Sequence, residues 1–158
     1  MKKIIIILSI IIGLVSYSKM ESKSEMIRFR IISNSDIEVD QKTKMEIVKS
    51  LRNELMYKAN SKEEEKEYLI SNIPVMKNKI NNVLGNNNYT INYGLNYFPY
   101  KEYNGKKYNE GIYESLVITL GEGEGSNFWC ILFPPICTIP DEDVEYKSFI
   151  KEALSKLF

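Results

Sequence analysis

The chain has 158 residues, 44% of them hydrophobic and 27% charged, which is enough apolar material for the core of one domain and too little length for two ordinary ones. Its 21 basic and 21 acidic residues balance, so no net field draws it toward nucleic acid or an anionic membrane. It contains no histidine, which removes Ser-His-Asp and Cys-His triads, HExxH zinc sites and histidine pH switches, and leaves an enzyme only carboxylates, lysine, tyrosine or a bare thiol.

Residues 1–18 read as an export signal: Lys2 and Lys3 supply the charged start, residues 4–15 the apolar run, and Ser16 and Ser18 the small residues of a cleavage site. The run is shorter than the roughly 20 apolar residues of a spanning helix. A cleaved secretion signal is therefore expected, with an uncleaved anchor as the alternative. No cysteine ends the run, so a lipoprotein is not expected. Cleavage after Ser18 would remove Lys2 and Lys3 and leave 19 basic against 21 acidic residues. Residues 19–25 are polar and read as a tether, and residues 26–158 as a single α+β domain.

That domain opens with "MIRFRII", in which Ile27, Phe29 and Ile31 alternate with Arg28 and Arg30, the pattern of a half-buried strand. "SNSD" at 33–36 offers turn and helix-cap oxygens. Met45, Val48, Leu51, Leu55 and Met56 recur at helical spacing and predict one helix over about 39–57. "SKEE" at 61–64 is a capping box that starts a second helix, and the "KEEEKE" run there reads as its solvated face. Pro74 predicts a break, with one helix ending near Asn72 and a third starting at Pro74 and closing at Gly85.

The pattern then changes to period two. Tyr89, Ile91, Tyr93 and Leu95 mark the aromatic face of a strand, and Asn104-Gly105 is a hairpin turn signal. Residues 113–120 are apolar on both faces and predict the central strand. Residues 128–133 predict another, ended by Pro134 and Pro135, and 141–158 an amphipathic helix with Phe149, Ile150, Ala153, Leu154 and Leu157 on one face. The order β-ααα-β-β-β-α implies a small antiparallel or mixed sheet with helices packed on it.

Four features could carry chemistry. "GEGEG" at 121–125 lacks the spacing and lysine of a phosphate loop, and Glu122 and Glu124 would repel a nucleotide. It reads as a strand connection, with a catalytic carboxylate pair as the alternative. Zinc at Cys130 and Cys137 would need two more ligands, which without histidine must be carboxylates, and no histidine is present to activate a thiol nucleophile. In an exported protein a C-x6-C pair defaults to a disulfide, with two free buried thiols as the other reading. Asp36, Asp40 and Gln41 fit helix capping, or a metal or catalytic carboxylate. Trp129, Phe128 and Phe133 fit either a core or, for Trp129, an interface anchor.

"IRFRIISNSD", followed by "YFPYKEYNGKKYNEGIYESLVITLGEGEGSNFWCILFPPIC", resembles the stage II sporulation protein R family of endospore-forming bacteria. The likeness spans essentially all of the chain after the signal, and its last segment is the most specific part. Where the family commonly has histidine this chain has Ser126, and Phe128 stands at a tryptophan position, so position 126 is not expected to be catalytic. The resemblance implies a non-enzymatic, cofactor-free signal, exported from the forespore into the space between the two sporangial membranes. Its implied partner there is a membrane-embedded aspartic peptidase that processes the precursor of the mother-cell sigma factor. Neither nucleic acid nor a small-molecule substrate is implied.

On this reading the partner-binding residues are Gly121, Glu122, Gly123, Gly125, Asn127 and Trp129, with Asn34 and Asp36 as a second region. The loop over 121–127 is expected to lie open. The rival class is a cell-envelope hydrolase using Asp36 with Glu122 or Glu124.

Overall fold

The computed structural model describes residues 24–85, 88–103 and 105–139, except the side chain of Tyr103. The export signal at 1–18, most of the tether and the helix expected over 141–158 lie outside the described residues. In chain order the elements are β1 (Ile27–Ile32), α1 (Glu38–Ser50), the helical turn α2 (Arg52–Leu55), α3 (Lys62–Leu84), β2 (Tyr89–Phe98), β3 (Lys101–Tyr103), β4 (Lys106–Tyr108), β5 (Gly111–Leu120) and β6 (Asn127–Phe133). The fold is α+β: a mixed four-stranded sheet in the order β2-β5-β1-β6, with β3 and β4 as a separate hairpin.

β5 is central, as its two apolar faces predict, and pairs antiparallel with β2 and parallel with β1. β6 lies antiparallel on the other side of β1. The parallel pair matters most for function. It brings the carboxyl ends of β1 and β5 to the same end of the sheet, so the loops that follow them become neighbours.

The helices pack on one face. Ile27, Phe29 and Ile31 of β1, Ile47 and Val48 of α1, Leu69, Met76 and Ile80 of α3, and Leu116 and Ile118 of β5 form one core cluster. The alternation of β1 thus selects the right inward residues. The arginines on its other face are not solvated as that alternation implies: Arg28 is 0% exposed. Its guanidinium carbon stands 4.5 Å from the Phe98 ring centroid and 4.8 Å from that of Tyr113. Arg30 lies over Phe98 and Trp129, at 5.1 and 5.5 Å. Phe98, Tyr113, Val117 and Trp129 form a second, smaller cluster, and the two cations sit among its ring faces.

Two helix boundaries depart from expectation. The stretch 39–57 bends at Leu51 (φ −90°, ψ 4°), which ends α1 and starts α2, and both Leu51 and Leu55 remain buried. At Pro74 the opposite happens: α3 runs through it as one helix of 23 residues. Pro74 faces solvent, and the Ile70 carbonyl, which it deprives of a donor, belongs to a residue that is itself 46% exposed. Leu69 on one side of the proline and Met76 and Ile80 on the other are fully buried, so core packing offsets the lost bond. The expected cap is present, with Ser61 Oγ accepting from Glu64 N at 3.1 Å.

Candidate functional site

The loop after β1 and the loop after β5 form a single ledge. Asn34 and Asp36 offer short side chains with acceptor oxygens, and the glycine loop offers main-chain N–H groups. Asn34 Oδ1 accepts from Glu122 N at 3.0 Å, and Asp36 Oδ1 from Ser126 N at 2.6 Å. Main-chain bonds run alongside, from Glu124 N to Asn34 O (3.1 Å) and from Gly125 N to Ser33 O (2.9 Å). The helix-cap reading of these residues is therefore corrected. The N-cap of α1 is Ile37, which makes no side-chain cap bond; Asn34 Oδ1 and Asp36 Oδ1 are used on the glycine loop instead.

The glycines explain themselves by this contact. A Cβ on Gly121 (φ +53°) would sit 2.1 Å from Asn34 Oδ1, and one on Gly125 2.3 Å from the Ser35 carbonyl oxygen. Only backbone without a side chain approaches this closely. The loop expected to lie open is thus packed against 33–36 along its inner side, and only its outer side is free, with Glu122 and Glu124 exposed.

A second set of bonds fixes the ledge from below. Asp40 Oδ2 accepts from Asn34 Nδ2 at 2.8 Å and from Ser35 Oγ at 2.6 Å. Gln41 Nε2 donates to Ser35 O at 2.8 Å. Lys44, 2% exposed, donates to Gln41 Oε1 at 2.5 Å and to Ser126 O at 2.8 Å, so one ammonium ties α1 to the glycine loop. Burial lowers the affinity of Lys44 for its proton, and the nearby charge of Asp36 opposes that shift. Bonds from the side chain and then the main chain of Ser126 hold Asp36 below the usual carboxylate range, and bonds from Ser35 and Asn34 do the same for Asp40. Both carboxylates thus act as fixed acceptors, poor at taking up a proton near neutrality.

The family model described as Stage II sporulation protein R (spore_II_R) matches residues 23–143, a span that holds every strand and both loops of the ledge. The chain belongs to that family. Stage II sporulation protein R of Bacillus subtilis (strain 168) is 34% identical over 120 residues, which cover 72% of this chain and 54% of that protein. The chain therefore spans about half the length of this curated relative. No solved structure matches.

The fold divides the residues singled out by the family motif. Asn34, Asp36, Gly121, Glu122, Gly123 and Gly125 meet in the ledge. Asn127 and Trp129 belong instead to β6, opposite Ile32 and Arg30. Trp129 is half-buried, edge-on to Phe98 at 5.5 Å and with Lys101 Nζ 4.7 Å from its ring centroid. It also borders an open groove of about 330 Å³ at the sheet's edge, together with Phe128, Ile131 and Ile136. Trp129 is thus both packed in the second cluster and presented in the groove.

Cys130 and Cys137 form a disulfide with Cα atoms 5.3 Å apart, which decides against two free thiols. Ile136 N donates to Ile131 O at 3.2 Å within the loop they close. Sequence reasoning missed Lys44 as a functional residue. The signal was present: Lys44 falls at helical spacing between Gln41 and Val48, and all three are buried on the inner face of α1.

Proposed function

We propose that this chain is a sporulation signalling protein, exported from the forespore to the intermembrane space. There it activates a membrane-embedded aspartic peptidase that processes the precursor of the mother-cell sigma factor. The ledge of 34–36 and 121–126 is its receptor surface, and it acts by binding, with no covalent or acid–base step of its own.

Family membership supports the sporulation role, and one observation carries the choice of a binder over a hydrolase. Asp36, the carboxylate a hydrolase would use, is committed to the Ser126 N–H at 2.6 Å and held ionised. A general acid needs a proton to give near the working pH, and an effective general base a proton affinity near it. A rigid surface of main-chain groups and fixed acceptors suits recognition, because little ordering remains to be done on binding.

Co-expression of the exported chain with the peptidase and the sigma-factor precursor, in a host that does not sporulate, tests the proposal. Processing that depends on this chain and saturates at one chain per peptidase is expected. Processing that proceeds equally without the chain would overturn it. Turnover of a glycan or peptide by the purified chain alone would favour the hydrolase.

A further inference from the structure

Four side chains of α3 are buried: Glu65, Leu69, Met76 and Ile80. Three are apolar and one is an acid. Glu65 is 0% exposed, and neither carboxyl oxygen has a hydrogen-bond partner. On β2 the Tyr93 hydroxyl is also buried, beside Glu114, and the charges of Glu114 and Glu65 both act on it. The cations at this end of α3 are used elsewhere: Lys62 and Lys66 both pair with Glu114 of β5, at 2.9 and 3.1 Å.

The remaining titratable neighbours are acids and phenols. Tyr57, from the segment before α3, stacks on Tyr68 with centroids 3.7 Å apart. Glu64 accepts from the Tyr57 hydroxyl at 2.8 Å, and Glu54 of α2 is held by Lys79, also at 2.8 Å. A carboxylate in these surroundings has lost its hydration and gained nothing in exchange, whereas a neutral carboxylic acid loses far less.

We infer that the first turns of α3 are a proton-controlled latch: a proton on Glu65 keeps them packed against Tyr93 of β2, and its loss loosens them from the sheet. Burial first, and the charge of Glu64 second, push the Glu65 carboxyl up to about 7. By contrast Asp36, Glu38, Asp40, Glu64 and Glu114 all move down, and the chain has no histidine. Among the described carboxyl groups displaced from their ordinary values, Glu65 is the one raised toward neutrality. The latch borders an exposed apolar strip: Leu95, 40% exposed, lies opposite Glu114 in the sheet, and Tyr97 lies opposite Ile112. Loosening the turn would extend that strip toward Tyr93.

The sign follows from the raised value. The folded state holds the proton more tightly than the unfolded chain, so this stabilisation is complete below pH 4.5 and is lost as pH rises through about 7. The corresponding change in the folding equilibrium is on the order of 100-fold.

The experiment uses the full chain in its exported form. Carboxyl-carbon NMR should show Glu65 titrating near 7, and urea unfolding should show the equilibrium falling on the order of 100-fold between roughly pH 5 and 8. Glu65→Gln should flatten that slope and keep the amides at the start of α3 protected from exchange at both extremes. A Glu65 resonance that titrates near 4.5, or a variant with the wild-type slope, would overturn the latch. If Glu65→Gln does not fold, the wild-type titration decides alone.

Discussion

The Asp36 carboxylate accepts the main-chain N–H of Ser126 at 2.6 Å across a separation of 90 residues. This bond couples the two loops of the ledge and holds Asp36 ionised well into acid. Because the folded-state values of Asp36 and Asp40 are lowered, the stability they contribute is present above the ordinary carboxylate range and is lost as pH falls through the folded values.

Asp36→Asn keeps an acceptor oxygen at this position and removes only the charge. Processing of the sigma-factor precursor by the co-expressed peptidase should fall a few-fold, and the acid limb of the stability profile should become shallower. Complete loss of processing, with unfolding unchanged at neutral pH, would mean that Asp36 acts chemically.

Gly125→Ala places a methyl group 2.3 Å from the Ser35 carbonyl oxygen, which is main chain and cannot rotate away. The ledge must separate, at a cost of about 2–3 kcal/mol. Gly105→Ala is the control: its φ is also positive, at +76°, but nothing lies within 4 Å, so only backbone strain of about 1 kcal/mol is expected. Urea denaturation of the two variants measures the difference, and equal losses would mean that the two loops are not in contact.

Lys44→Met keeps the length of the side chain but removes both of its hydrogen bonds, leaving Gln41 Oε1 and the Ser126 carbonyl without their donor. The expected loss is about 2–3 kcal/mol. Processing should fall further than this loss of folded protein explains, because the glycine loop is released from α1. The comparison requires processing measured against the amount of folded chain.

Pro74→Ala should stabilise the protein by about 1–2 kcal/mol, since alanine restores a donor for the Ile70 carbonyl in a continuous helix. Urea unfolding checks the direction. Destabilisation would show that the Pro74 ring contributes more to the packing of the helix than its missing bond costs.

Much of the fold was legible locally. The Ile27, Phe29 and Ile31 alternation, the Ser61 cap and the double-faced apolar run of β5 each correspond to an element, because period and caps act over a few residues. Pro74 misled for the same reason: the local rule is sound, but burial of Leu69, Met76 and Ile80 along one face outweighs one missing bond. Arg28 misled too, because alternation separates two faces without saying what covers the second. Phe98, Tyr113 and Trp129, which reach it from β2, β5 and β6, decide that.

By itself the sequence determined the residues that can meet: short acceptor side chains at Asn34 and Asp36, a run of glycines without Cβ atoms at 121–125, a cysteine pair and a family motif. Only the tertiary structure decided that they do meet. A strand's side-chain pattern specifies which face is buried, not which strand lies beside it or in which direction. The parallel pairing of β1 with β5 joins segments about 90 residues apart, and no local signal encodes it. Once that pairing is made, the carboxyl ends of both strands lie together, Asn34 closes on Gly121, and two separate motifs become one surface.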